Sequence, residues 1–107
     1  MAFIQYFSEA DSKSLKDSYA PLLTEYGMII PKNFQQSKQL FAEFQSNDNK
    51  NFSKVNLLIS WVNQSQKQCS VEIWSAEPFS KKETLCRKVH LEISQLIKPR
   101  EIPDQNN

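Results

Sequence analysis

Glycine is almost missing from this chain: Gly27 is the only one in 107 residues. A P-loop or a dinucleotide-binding turn needs glycines where backbone approaches phosphate, so nucleotide chemistry built on those loops is excluded. Histidine is as scarce, with His90 alone, which excludes multi-histidine metal centres and any mechanism that uses two imidazoles. The two cysteines, Cys69 and Cys86, are too few for a disulfide-built scaffold and fit a reducing cytoplasm, with both thiols free. Long apolar runs are absent, and "MAFIQYFSEAD" lacks the basic start and small-residue cleavage site of an export signal, so a soluble, cytoplasmic chain without membrane insertion is expected. Charge imbalance is missing too. Thirteen basic and twelve acidic residues leave a net charge of +1, a poor basis for holding a phosphate backbone.

Large apolar side chains, by contrast, are plentiful. Seven Phe, three Tyr and two Trp supply the buried surface that one hydrophobic core requires, and the length suits one domain and no more. That domain is expected over residues 1–98. Pro99 stops the final helix, and the remaining 99–107 stretch has only Ile102 to bury, so it reads as a flexible tail.

The clearest pattern is a hairpin made by "SKVNLLISWVN" and "QCSVEIWSA". Val55, Leu57, Ile59 and Trp61 share one face of the first strand, and Cys69, Val71 and Ile73 share one face of the second. On the opposite face Asn56, Ser60, Ser70 and Glu72 are interrupted by Leu58, Val62 and Trp74, which requires either a cover or a partner. Downstream, Ser80 and Glu83 have the spacing of a capping box and predict a helix from there to about Lys98, with Leu85, Val89, Ile93, Leu96 and Ile97 as its buried stripe. Upstream, Ser8 or Asp11 caps a helical segment carrying Leu15, Tyr19, Leu22, Leu23 and Tyr26. Pro21 breaks it and Gly27 closes it. "KQLFAEFQS" reads as a strand from the alternation of Leu40, Ala42 and Phe44, although Phe34, Phe41 and Phe44 also fit a helix. The expected fold is α+β: a small antiparallel sheet of about three strands, a C-terminal helix packed on one face, and an N-terminal helical segment.

Candidate chemistry centres on Cys86 and His90, one helical turn apart. A structural zinc site needs four ligands, and no motif supplies the other two. A nucleophilic Cys86 needs a lowered pKa, but the strongest help from the helix dipole comes in the first turn and Cys86 is expected in the second. Both residues therefore read as helix-face packing. Glu72 and Glu77 receive no acid–base role. No catalytic, cofactor-binding or metal-ligating residue is assigned.

The stretches "VEIWSAEPFSKKETLC" and "YGMIIPKNF" resemble segments of small uncharacterised cyanobacterial proteins. The resemblance covers about a third of the chain and implies a cytoplasmic or thylakoid-surface accessory protein, with no catalytic motif to carry over.

The expected function is that of a non-enzymatic protein-binding accessory protein: an adaptor, assembly factor or small regulatory subunit. Leu58, Val62 and Trp74 are its candidate interface residues, and the expected partner is another protein or a second copy of the chain. A single-stranded RNA binder using Trp74 with Lys54 and Lys67 is the second reading. A thiol-dependent enzyme or redox sensor at Cys86 is the third. The bland alternative has the N-terminal helix simply covering the Trp74 face.

Overall fold

The computed structural model describes residues 1–31, 35–36, 38–45, 54–61, 67–78 and 80–101. The strands are β1 (Ala2–Ser8), β2 (Gln35–Gln36), β3 (Gln39–Gln45), β4 (Lys54–Ser60) and β5 (Cys69–Ser75). They form one antiparallel sheet in the order β1-β5-β4-β3-β2. The α+β class and the antiparallel sheet are therefore as expected, but the strand count rises from about three to four seven-residue strands plus a two-residue edge piece. The ambiguous "KQLFAEFQS" is a strand, with Leu40 and Ala42 buried. Phe34 and Val62 lie outside the described residues.

The cross-strand register aligns one buried face. Ile4, Ile73, Leu57 and Ala42 form one row, and Tyr6, Val71, Ile59 and Leu40 the next. Six of these eight are buried, and Ile4 and Tyr6 pack against them. Both helical segments sit on this side. Helix α3 (Leu85–Leu96) buries Cys86, Val89 and Ile93, and Ile97 just after it is also buried. It is pinned to the sheet by the Cys86 thiol donating to the Ile73 carbonyl (3.5 Å) and by the Tyr6 hydroxyl donating to the Ile97 carbonyl (2.7 Å).

The N-terminal segment divides as its proline demands. Helix α1 (Ser12–Ser14) leads into a π-helical turn, Leu15–Tyr19, and then α2 (Ala20–Tyr26). The Asp11 carboxylate accepts from the Ser14 amide at 2.7 Å, and these bonds hold its pKa below the usual carboxylate value. Pro21 lacks the N–H that would close a regular α turn onto Asp17, and the irregular turn lies just before it. Within the first turn of α2 that missing donor costs nothing. Gly27 ends α2 with φ 113°, a left-handed cap as expected. Leu23 and Met28 enter the core, and Tyr26 stacks on Phe44 at 5.5 Å while bonding Glu92 of α3.

The start of α3 departs from expectation. Thr84 is its N-cap, accepting from the Arg87 amide at 3.0 Å, and Ser80 and Glu83 form no capping box. The acceptors that fix the start come from Glu77. Its carboxylate takes the Leu85 amide at 2.8 Å and the Cys86 amide at 3.0 Å. The helix begins where its orphan amides find these oxygens, and Ser80 lies in the Pro78–Lys81 turn instead.

Candidate functional site

Because both helical segments occupy one side, the other face of the sheet carries no helix among the described residues. The register sets its side chains in rows across the strands. The first row is Ile29, Glu43, Asn56, Trp74 and Phe3, and the second is Phe41, Leu58, Glu72 and Gln5. The third is Gln39, Ser60, Ser70 and Phe7. Six of these thirteen positions are apolar, and four of the six are aromatic. Phe3 is 49 % exposed, Phe7 53 % and Ile29 58 %, so water meets large apolar side chains here.

Trp74 and Leu58, read from the sequence as interface candidates, both lie on this face and are half-buried. Trp74 is not covered by the N-terminal helix. Its ring lies 6.2 Å from that of Phe41, tilted by 50°, reaching diagonally over β4. Phe3, Phe7, Phe41 and Ile29 join them only because distant strands align. Nothing in the local pattern of any one strand announces that grouping.

The polar groups of the face are satisfied or open to water. Gln5 donates to the Ser70 hydroxyl at 3.0 Å, and Lys54 pairs with Glu43 at 2.9 Å. Glu72, Asn56 and Ser60 are only half-buried. Of the two lysines in the RNA-binding reading, only Lys54 lies near Trp74, two residues along β4 from Asn56, the cross-strand partner of Trp74. Lys54 is already engaged by Glu43, and Lys67 precedes β5 at the opposite end of the strand, roughly 20 Å away at about 3.3 Å per residue.

Cys86 and His90 belong to the helix-covered side. Because Thr84 is the N-cap, Cys86 falls in the first turn of α3 rather than in the second that the capping box predicts, and its amide goes to Glu77. Cys86 is fully buried, and burial together with the neighbouring Glu77 carboxylate pushes its thiol up to about 11. Burial also raises Cys69 to about 11, against a smaller opposing effect of hydrogen bonds with Ser8. At neutral pH about one thiol in ten thousand is ionised at such a pKa. His90 packs edge-on against Tyr6 at 5.5 Å, and its Nδ1 is buried without a hydrogen-bond partner. Burial, and then the charge of Arg87, hold its pKa below the ordinary imidazole value. Among the described residues no group of three or more His, Cys, Asp or Glu is placed to hold a metal ion.

One further concavity, about 610 Å³, lies between the end of β1, Tyr19 and the Leu96–Glu101 stretch. Its charges answer one another: Arg100 closes on Glu9 at 3.3 Å, so the cleft selects no ligand charge. No described helix is long and apolar enough to cross a membrane.

No family model, curated protein or solved structure matches the chain, and the resemblance to cyanobacterial proteins gains no support from these comparisons.

Proposed function

We propose that this is a non-enzymatic accessory protein, an adaptor, assembly factor or small regulatory subunit, that binds another protein through the open face of its sheet. The observation that carries the reading is the aromatic group on that face, opposite both helical segments: Trp74 with Phe41 across β4, half-exposed Phe3 opposite Trp74 on β1, and half-exposed Phe7 four residues further along β1. Four strands of about seven residues give the face a footprint of roughly 400 Å². Six of its thirteen positions are apolar, and an exposed apolar patch of a few hundred Å² on a domain surface is often a contact site. Rigid aromatic side chains on a sheet also supply contact area at little cost in conformational entropy. Two free thiols support action in a reducing compartment such as the cytoplasm.

The test is affinity purification from native lysate with the full chain as bait, run beside Trp74→Ala. The expected result is a partner whose binding weakens by about 2 kcal/mol or more, roughly thirtyfold, while the variant keeps its native circular dichroism. A partner retained equally by wild type and a folded Trp74→Ala, Phe41→Ala double variant overturns the assignment of this face.

A further inference from the structure

The two edges of the sheet are finished differently. On the β3 side, β2 pairs with Gln39 and Leu40, and Ile29 exchanges backbone hydrogen bonds with Glu43 at 2.7 and 2.8 Å. On the β1 side, the Phe7 carbonyl accepts from the Arg100 amide at 2.6 Å. Arg100 is not part of β5, so the backbone polar groups of Phe7 face outward. Alternation along an antiparallel strand turns those of Phe3 and Gln5 the same way, and no described residue bonds to them there. The strand also lacks the usual guards of an edge. Ala2–Ser8 contains no proline and no charged side chain, and its register with β5 runs without a bulge from Ala2 opposite Ser75 to Ser8 opposite Cys69.

We propose that this edge pairs two copies of the chain, β1 lying antiparallel to β1 of a second copy, so that two sheets become one continuous sheet. The register follows from which outward groups have no partner among the described residues. Arg100 occupies the Phe7 carbonyl, leaving Phe3 and Gln5. An antiparallel pairing that uses both sets Phe3 opposite Gln5 of the second copy, with the two-fold axis beside Ile4 and about four new backbone hydrogen bonds. A strand that meets itself must avoid charge of one sign, and the neutrality of Ala2–Ser8 meets that condition. The helices of both copies then lie on the same side, and the two open faces adjoin. This inference is independent of the assignment of the open face to another protein.

The experiment is sedimentation equilibrium of the full chain across a concentration series. The wild type is expected to be a dimer. Phe3→Lys with Gln5→Lys sets ammonium against ammonium across the axis, and Phe3→Glu with Gln5→Glu sets carboxylate against carboxylate. Each double variant is expected to be a monomer with native circular dichroism, and their equimolar mixture a dimer. Gln5→Pro removes an outward donor without touching the β5 ladder and provides a second route to the monomer should the charged variants fold poorly. Trp74→Ala is expected to leave the dimer intact. A wild type that stays monomeric throughout, or a dimer indifferent to the folded β1 variants, overturns the proposal. So does a dimer that forms only after residues 102–107 are deleted, which assigns the edge to the chain's own C-terminal segment.

Discussion

Glu77 is 7 % exposed, and its carboxylate holds the β5–α3 join together, accepting from the Ser75 hydroxyl at 2.8 Å, the Leu85 and Cys86 amides at 2.8 and 3.0 Å, and Lys81 at 3.5 Å. In Glu77→Ala the buried Cys86 amide loses its acceptor where water cannot replace it, a cost of about 1–3 kcal/mol. The Leu85 amide loses the equivalent of a helix cap, about 0.5–2 kcal/mol. The sum, about 1.5–5 kcal/mol, is a large share of a small domain's stability and corresponds to a melting point lower by roughly 7–22 °C. Thermal and urea melts followed by far-UV circular dichroism measure it. The controls are Thr84→Ala, expected to lose about 0.5–2 kcal/mol, and Glu83→Ala, expected to stay within about 0.5 kcal/mol. Acid adds a second readout. Burial pushes the Glu77 carboxyl up, but the bonds from Leu85, Cys86, Ser75 and Lys81 together outweigh it and leave the pKa below the usual value. The unfolded chain then binds more protons at this site than the folded one. The contribution is complete above the unfolded pKa of about 4.3 and fades as pH falls toward the folded value. The gap between wild type and Glu77→Gln therefore narrows on acidification below about pH 5. A Glu77→Ala protein that melts with the wild type, or a Glu83→Ala protein that is the more damaged of the two, refutes this account of the helix start.

Trp74→Ala is expected to cost no more than about 1–2 kcal/mol, because it loses the Phe41 contact and half-buried area without opening a core cavity; a loss of about 3–5 kcal/mol in urea melts means that the face is covered. Ile73→Ala, at a fully buried position, is expected to cost about 2–5 kcal/mol in the same assay, and unchanged melting inverts the face assignment. Neither Cys69 nor Cys86 is expected to react appreciably with a thiol reagent near neutral pH until denaturant is added, and fast labelling of native protein contradicts their buried, protonated state. His90, with its folded pKa lowered, binds fewer protons folded than unfolded, so its part of the stability falls as pH drops below about 6.5 and disappears from the profile of His90→Gln; a superimposable profile shows that the imidazole is solvated in both states.

The faces of β4 and β5 were legible because their core positions, Val55, Leu57 and Ile59 and then Cys69, Val71 and Ile73, are buried apolar residues at every second place, although Leu58, Trp74 and the buried Ser70 break the pattern on the other side. β1 escaped that logic. "FIQYF" places Ile4 and Tyr6 toward the helices and Phe3 and Phe7 on the open face, so both faces read apolar and alternation disappears. Trp74 could be placed on the open face from its own strand, but Phe41, Phe3 and Ile29 could not be joined to it. That grouping depends on pairing between strands far apart in the chain. The helix start was misplaced because a capping box looks three residues ahead, whereas Glu77 acts on Leu85 from eight residues upstream. Pro21 and Gly27, whose effects are confined to their own backbone, gave the break and the cap where expected.

The pairing of β1 with β5 joins the two ends of the sheet's sequence: Ala2 sits opposite Ser75, 73 positions later, whereas Ser60 meets Ser70 across 10. The chain entropy lost in closing the longer loop exceeds that of the shorter by about 2 kcal/mol, which slows the longer closure by a factor on the order of 20–30 if both are otherwise alike. The β4–β5 hairpin therefore forms ahead of the β1 ladder. During synthesis at about 5–20 residues per second, β1 leaves the ribosome several seconds before its partner strand does. For that interval Phe3, Ile4, Tyr6 and Phe7 travel as an unpaired, uncharged apolar segment. The same strand that completes the core is thus the one most in need of protection on a growing chain, and the β5 edge stays open to strangers until it arrives.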